Sequence, residues 1–123
     1  MPKRVLIVDD ALIMRRRIRN IAEQTGWEVA GEAKNGIEAI ALFQQEQPDL
    51  VTLDIVMPEL DGVATLLRLM TDDPTAQVVM VTAVDQKEKL RECIELGAVD
   101  FIVKPFEKSR LQSFFEKYGA IES

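Results

Sequence analysis

Five short apolar runs, rich in β-branched residues, punctuate this chain at near-regular intervals: Arg4 to Val8, Glu28 to Glu32, Leu50 to Leu53, Gln77 to Thr82 and Val99 to Val103. Their starts lie 24, 22, 27 and 22 residues apart, which leaves room in each interval for one helix and its turns. Runs that stay apolar without alternating are buried on both faces, as in a parallel sheet covered on each side by its helical crossovers. The intervals carry the matching period. Met14, Ile18, Ile21 and Ala22 recur at helical spacing, while Arg15, Arg16, Arg17 and Arg19 fall mainly on other faces and read as a solvated surface. Gly26 supplies a stop. The second helix begins near Asn35-Gly36, carries Ile37, Ile40, Ala41 and Phe43, and ends before Pro48, which cannot continue a helix. A third starts near Gly62 with Leu66, Leu67, Leu69 and Met70 and runs out by Asp72-Asp73-Pro74. The fourth sets Leu90, Cys93, Ile94 and Leu96 on roughly one side, with Gly97 as its C-terminal cap, and Lys108 to Tyr118 makes the fifth. The expected fold is α/β: a doubly wound, five-stranded parallel sheet with right-handed crossovers and strand order 2-1-3-4-5. Residues 1–123 are expected to form a single domain whose own surface makes any output.

Composition closes several functional classes. With 15 Lys and Arg against 21 Asp and Glu, the net charge of −6 repels phosphate backbones and anionic lipid, so neither direct nucleic-acid binding nor membrane binding is expected. Histidine is absent, which removes Ser-His-Asp and Cys-His nucleophile systems, the usual zinc sites and any internal phosphohistidine. The single cysteine, Cys93, cannot form an intramolecular disulfide and fits a reducing, cytoplasmic location. No segment reads as an export signal or a membrane span.

In sheets of this class ligands bind beyond the carboxyl ends of the strands, and here those ends are polar. The first run ends in Asp9-Asp10, the third in Asp54, the fourth in Thr82-Ala83 and the fifth in Lys104-Pro105. Any one of these aspartates alone reads as a turn former or helix cap. Their joint arrival at one edge does not. Three carboxylates in one crevice repel each other unless a cation offsets them, and Mg²⁺ is the economical choice: it is hard, prefers oxygen and keeps part of its shell for water and a phosphate oxygen. Lys104 supplies a second positive charge, and the Thr82 hydroxyl with the Ala83 backbone amide can donate to the remaining phosphate oxygens. Asp54 is the candidate nucleophile, since a carboxylate can accept a phosphoryl group as an acyl phosphate.

The stretches VLIVDD at 5–10, PDLVTLDIVMPELDG at 48–62, VVMVTA at 78–83 and GAVDFIVKPF at 97–106 resemble bacterial response-regulator receiver domains, most closely the stand-alone chemotaxis regulators. The resemblance spans essentially the whole chain and implies the flavodoxin-like topology of that family. It also implies that Asp54 is the phosphoacceptor, and that Asp10, Asp54 and the Val56 backbone carbonyl bind Mg²⁺ (or Mn²⁺), with Asp9 acting mostly through metal-bound water. Thr82 would move toward the phosphoryl group on activation, Lys104 would pair with one of its oxygens, and the Lys104–Pro105 bond would be cis. Phe101 occupies the family's aromatic switch position; an ordinary core aromatic is its plainer reading. The resemblance further implies a sensor histidine kinase (CheA-like) as phosphoryl donor, a protein target such as the flagellar motor switch, and a possible phosphatase. Output would run through the surface of the fourth helix, fifth strand and fifth helix, from a chain that is monomeric when unphosphorylated and is a signalling acceptor rather than a turnover enzyme. A relay shuttle, or a receiver belonging to a DNA-binding regulator, shares the same pattern. A flavodoxin-like electron carrier or an aspartate-nucleophile phosphatase does not: the first loop is acidic, and Val56 stands where the phosphatase needs a second acid.

Overall fold

The computed structural model describes residues 2–120, apart from the side chain of Ala120. Strands and helices alternate throughout: β1 (Arg4–Val8), α1 (Leu12–Gln24), β2 (Glu28–Ala33), α2 (Gly36–Glu46), β3 (Leu50–Asp54), α3 (Gly62–Asp72), β4 (Val78–Ala83), α4 (Lys87–Leu96), β5 (Asp100–Lys104) and α5 (Lys108–Ala120). All strand pairs are parallel and the sheet order is β2-β1-β3-β4-β5, as expected. The chain reverses its direction of winding between β1 and β3, and the two strands' carboxyl ends part there to leave a crevice.

Alternation along the strands divides the interior into two cores. Val5, Ile7, Leu50, Val79, Val81 and Ile102 meet Ile18 and Ile21 of α1 and Leu111, Phe114 and Phe115 of α5. On the other face Leu6, Val8, Val51, Leu53, Val78 and Met80 meet Phe43 of α2, Leu66 and Leu69 of α3 and Cys93 of α4. Every residue of β3 is buried, which is why its sequence reads as one continuous run.

Local chemistry sets the helix limits. The Asn35 and Asp61 carboxyl or amide oxygens accept hydrogen bonds from the Glu38 and Ala64 backbone N–H groups and so cap α2 and α3. Gly97 closes α4 in the left-handed region at φ 115°.

Two expectations need correction. Ile37, Leu67 and Ile94 stand 59%, 52% and 44% exposed, and Ala41 is exposed too. Each lies one or two residues off the row that packs (Ala39 and Phe43, Leu66 and Leu69, Cys93), and a turn of 3.6 residues swings it away from the sheet. The arginines of α1 are also not a uniformly solvated face. Arg15 and Arg19 both bond the Glu32 carboxylate of β2, and Arg17 lies 4.6 Å over the Phe106 ring while donating to the Phe106 carbonyl. Only Arg16 of the four is exposed, because α1 runs between the β2 edge and the loop after β5, where acceptors are within reach.

Candidate functional site

The carboxyl ends of β1, β3 and β5 deliver Asp9, Asp54 and Lys104 to one point. The Lys104 Nζ lies 3.0 Å from Asp9 Oδ2 and 3.3 Å from Asp54 Oδ1. Asp54 sits opposite Val81 in the β3–β4 register, and Ala83 opposite Lys104 in the β4–β5 register, so the strand ends form a shallow step around these charges. Asp9 and Asp54 are buried, at 1% and 7% exposure, whereas Asp10 is exposed.

Asp9 is tied at every polar atom. Its N–H donates to the Ala33 carbonyl at 3.0 Å, its carbonyl accepts from Arg15 Nη1 at 2.7 Å, and its Oδ1 accepts from the Ala11 N–H at 2.9 Å. Oδ2 is the atom that takes the Lys104 ammonium. A carboxylate so occupied is suited to a supporting role, while Asp10 and Asp54 keep oxygens free for a cation.

One carboxylate oxygen each from Asp9, Asp10 and Asp54 lies within 4.8 Å of the others. Three acids face one ammonium, and the imbalance shows in Asp54. Burial first, and then the Asp9 charge, push its pKa up to about 6, against the downward pull of Lys104. Burial works against the Lys104 ammonium as well, but the hydrogen bond to Asp9 and the charges of Asp54 and Asp9 outweigh it and raise that pKa. Hard oxygen donors with surplus negative charge fit Mg²⁺ or Mn²⁺.

The start of the loop after β3, at Ile55, is held by close backbone contact with the start of α3. A Cβ on Gly62 would lie 2.3 Å from the Asp54 carbonyl oxygen and 2.6 Å from Ile55 Cα, so α3 can begin against the end of β3 only at a glycine. The Gly62 N–H donates to the Ile55 carbonyl at 2.7 Å.

Thr82 is 2% exposed, and its Oγ1 donates locally to the Ala83 carbonyl at 3.1 Å. The structure therefore does not bring this hydroxyl onto the carboxylates. Phe101 is 39% exposed, so it is not a core aromatic here. With Thr82, Ala83, Val84, Leu90 and Val103 it lines a shallow apolar cavity of about 240 Å³. A larger groove of about 520 Å³, beside Phe43, Pro48 and Asp73, precedes β3 and β4 at the opposite end of the sheet and has no part in this chemistry. The Lys104–Pro105 bond is cis. Sequence reasoning missed Arg15: nothing in a run of arginines marks which one turns back to a carbonyl six residues before it.

An acidic oxygen cluster able to hold a cation, a partly desolvated carboxylate and a fixed ammonium together suit the transfer of a phosphoryl group to the carboxylate. On this doubly wound sheet they define a receiver. The chain belongs to the response regulator receiver domain family, whose profile matches residues 5–116. It is similar to the chemotaxis protein CheY of Listeria monocytogenes, 46% identical over 114 residues, covering 93% of this chain and 96% of that one. It is also 50% identical over 108 residues to the protein CcdB of Bacillus subtilis, covering 88% and 90%. Among solved structures, the CheX-CheY-BeF3-Mg complex from Borrelia burgdorferi superposes with a TM-score of 0.89 at 33% identity, covering 96% of this chain and 90% of that one. Receiver domains use Mg²⁺, which agrees with the donor set described above. Among the described residues no helix is long and apolar enough to cross a membrane.

Proposed function

We propose that this chain is the phosphoacceptor of a two-component chemotaxis pathway, taking a phosphoryl group on Asp54 from the phosphohistidine of a sensor histidine kinase. The observation that carries this reading is the seating of Asp54 beside Asp9 and Asp10, with the Lys104 ammonium in reach of both Asp9 and Asp54, in a chain of the receiver family. An Asp54 carboxylate oxygen attacks phosphorus, the P–N bond to the donor imidazole breaks, and the departing imidazole takes up a proton; an acyl phosphate remains on Asp54. Asp10, Asp54 and the Val56 carbonyl would hold Mg²⁺, with Asp9 behind them, and the bound ion would supply positive charge against the carboxylates and the incoming phosphoryl oxygens. Lys104, already within reach of both carboxylates, takes one phosphoryl oxygen. The Thr82 hydroxyl, bound only to the neighbouring carbonyl, is free to turn to another, and the Ala83 amide to a third.

The acceptor modifies itself and then loses the group slowly by hydrolysis, so it acts as a switch rather than as a turnover enzyme. Val56 and Val84, each two residues beyond a reacting position, are exposed and apolar and offer no group to orient an attacking water. Val56→Asn with Val84→Glu is expected to speed loss of the phosphoryl group at least several-fold in a decay time course; an unchanged rate would sink this part of the reading.

Output is assigned to α4, β5 and α5, where Phe101 and its cavity adjoin Thr82. The similarity to chemotaxis relatives supports the flagellar motor switch as target, and the Borrelia complex with CheX and a fluoroberyllate of phosphoryl-like shape supports protein binding in a phosphoryl-like state. A phosphatase is a further partner in this scheme, the cytoplasm its location, and a monomer its unphosphorylated form. By linkage, a target that prefers the phosphorylated form favours phosphorylation in return. The test is intact mass after incubation with acetyl phosphate. One phosphoryl adduct, dependent on Mg²⁺ and absent in Asp54→Asn, is expected; no adduct with Mg²⁺ present would overturn the reading.

A further inference from the structure

The Asp9–Asp10 corner is held from outside the acidic cluster by one chain of contacts. The Glu32 carboxylate, on the β2 edge, accepts from Arg15 Nε at 3.3 Å through Oε1 and from Arg19 Nε at 2.6 Å through Oε2. Those arginines stand one turn apart on α1, so a single carboxylate bridges both. Arg15 then spends Nη1 on the Asp9 carbonyl at 2.7 Å, from a side chain only 14% exposed. On the other side of the same residue the Asp9 N–H is fixed to the Ala33 carbonyl, one position beyond Glu32. The peptide that leads into Asp10 is thereby clamped by β2 and α1 together, while the Asp10 side chain itself projects into solvent.

We infer that Glu32 is a positioning residue for the cation site: by aiming the Arg15 guanidinium at the Asp9 carbonyl it presets the corner from which Asp10 offers its oxygen. Glu32 touches neither the carboxylates nor any reacting atom, and acts through Arg15. Groups hydrogen-bonded directly to metal ligands commonly change affinity by about 10–100-fold when altered, and Glu32, one contact further out, belongs at the lower end of that range. This inference rests on the cation site of the proposed function. Charge alone would give a different pattern from positioning. Arg15→Lys keeps the positive charge but lacks the planar fork that reaches Glu32 and the Asp9 carbonyl at once. Arg19→Gln removes a charge from the same network and leaves the Arg15 contacts in place.

The test is Mg²⁺ binding by calorimetry on the whole protein, with thermal unfolding in chelator alongside. Glu32→Gln and Arg15→Lys are each expected to weaken Mg²⁺ binding about tenfold, with Arg19→Gln within about twofold of wild type. Acetyl phosphate labelling of the first two should return to the wild-type rate when Mg²⁺ is raised to saturation, a pattern that loss of structure would not produce. Unchanged Mg²⁺ affinity in Glu32→Gln and Arg15→Lys would overturn the inference, as would an equal loss in Arg19→Gln, which would point to net charge instead. If Glu32→Gln does not fold, Arg15→Lys decides alone. Wild-type protein that binds no Mg²⁺ would overturn the site reading itself, and this inference with it.

Discussion

The two faces of the sheet are built differently. The α1–α5 face holds an aromatic cluster in which Trp27 and Phe115 lie 5.4 Å apart, Phe114 and Phe115 6.1 Å, and Phe114 and Tyr118 4.7 Å. The Trp27 indole donates to the Phe115 carbonyl, and the Tyr118 hydroxyl to Asp100. This stack lies toward the amino end of the sheet, where Asp100 opens β5, and the charged groups of the site stand at the opposite, carboxyl end. At the α4 end of the opposite face Cys93 is the only fully buried residue of its helix, and Phe101 and Val84 stand exposed around a cavity. The α1–α5 face is thus tied together by aromatic contacts at the amino end of the sheet, whereas the Phe101 surface beside β4 and α4 stays open to solvent.

The sharpest way to break this contrast is to remove one aromatic from each face. Phe115→Ala, at a fully buried position, is expected to cost about 3–5 kcal/mol in urea unfolding, and Phe101→Ala less than about 1.5 kcal/mol. Equal losses would mean that the two faces are equally packed.

Next in size is the electrostatic strain at Asp54. Its folded pKa of about 6 lies above the ordinary 3.8, so the folded chain holds this proton more tightly than the unfolded chain does. In chelator, the group's contribution to stability is most favourable below pH 3.8 and is lost as pH rises through about 6. Asp54→Asn removes that dependence. It is expected to stabilise the chelated protein at pH 7.5 by up to about 3 kcal/mol, with the advantage shrinking toward pH 4. A variant no more stable than wild type at pH 7.5 would show that Lys104 already neutralises the site.

The smallest effect is expected at Thr52. Its hydroxyl is buried in the middle of β3 with no hydrogen-bond partner among the described residues, between Ile7 and Val79 in register. Thr52→Val should raise stability by about 1 kcal/mol by removing an unpaired polar group at nearly constant volume. A loss of stability would indicate that the hydroxyl is satisfied, for instance by internal water.

Much of the site was readable from the sequence because its signals are local. Asp9, Asp54 and Lys104 follow apolar runs directly, so the run that makes the strand also places the charge at its end. The same holds for Asn35 and Gly97, whose roles at helix ends depend only on their neighbours. What escaped depends on contacts between distant segments. Arg15 and Arg19 look alike in a run of basic residues until β2 brings Glu32 beside them. Ile37, Leu67 and Ile94 match an apolar period, yet which residues of that period bury is decided by how each helix rotates against the sheet. The orientation of the Thr82 hydroxyl, a single side-chain rotation, leaves no trace in sequence at all.

On the proposed function, the phosphoryl group goes to Asp54 and not to the neighbouring carboxylates. Borohydride reduces an acyl phosphate to the alcohol, so a phosphorylated aspartate becomes homoserine. After labelling with acetyl phosphate and Mg²⁺, reduction and peptide mass mapping should find homoserine at position 54 and unmodified aspartate at positions 9 and 10. Homoserine at position 9 or 10, or labelling at 54 that is equally strong in chelator, would contradict the account.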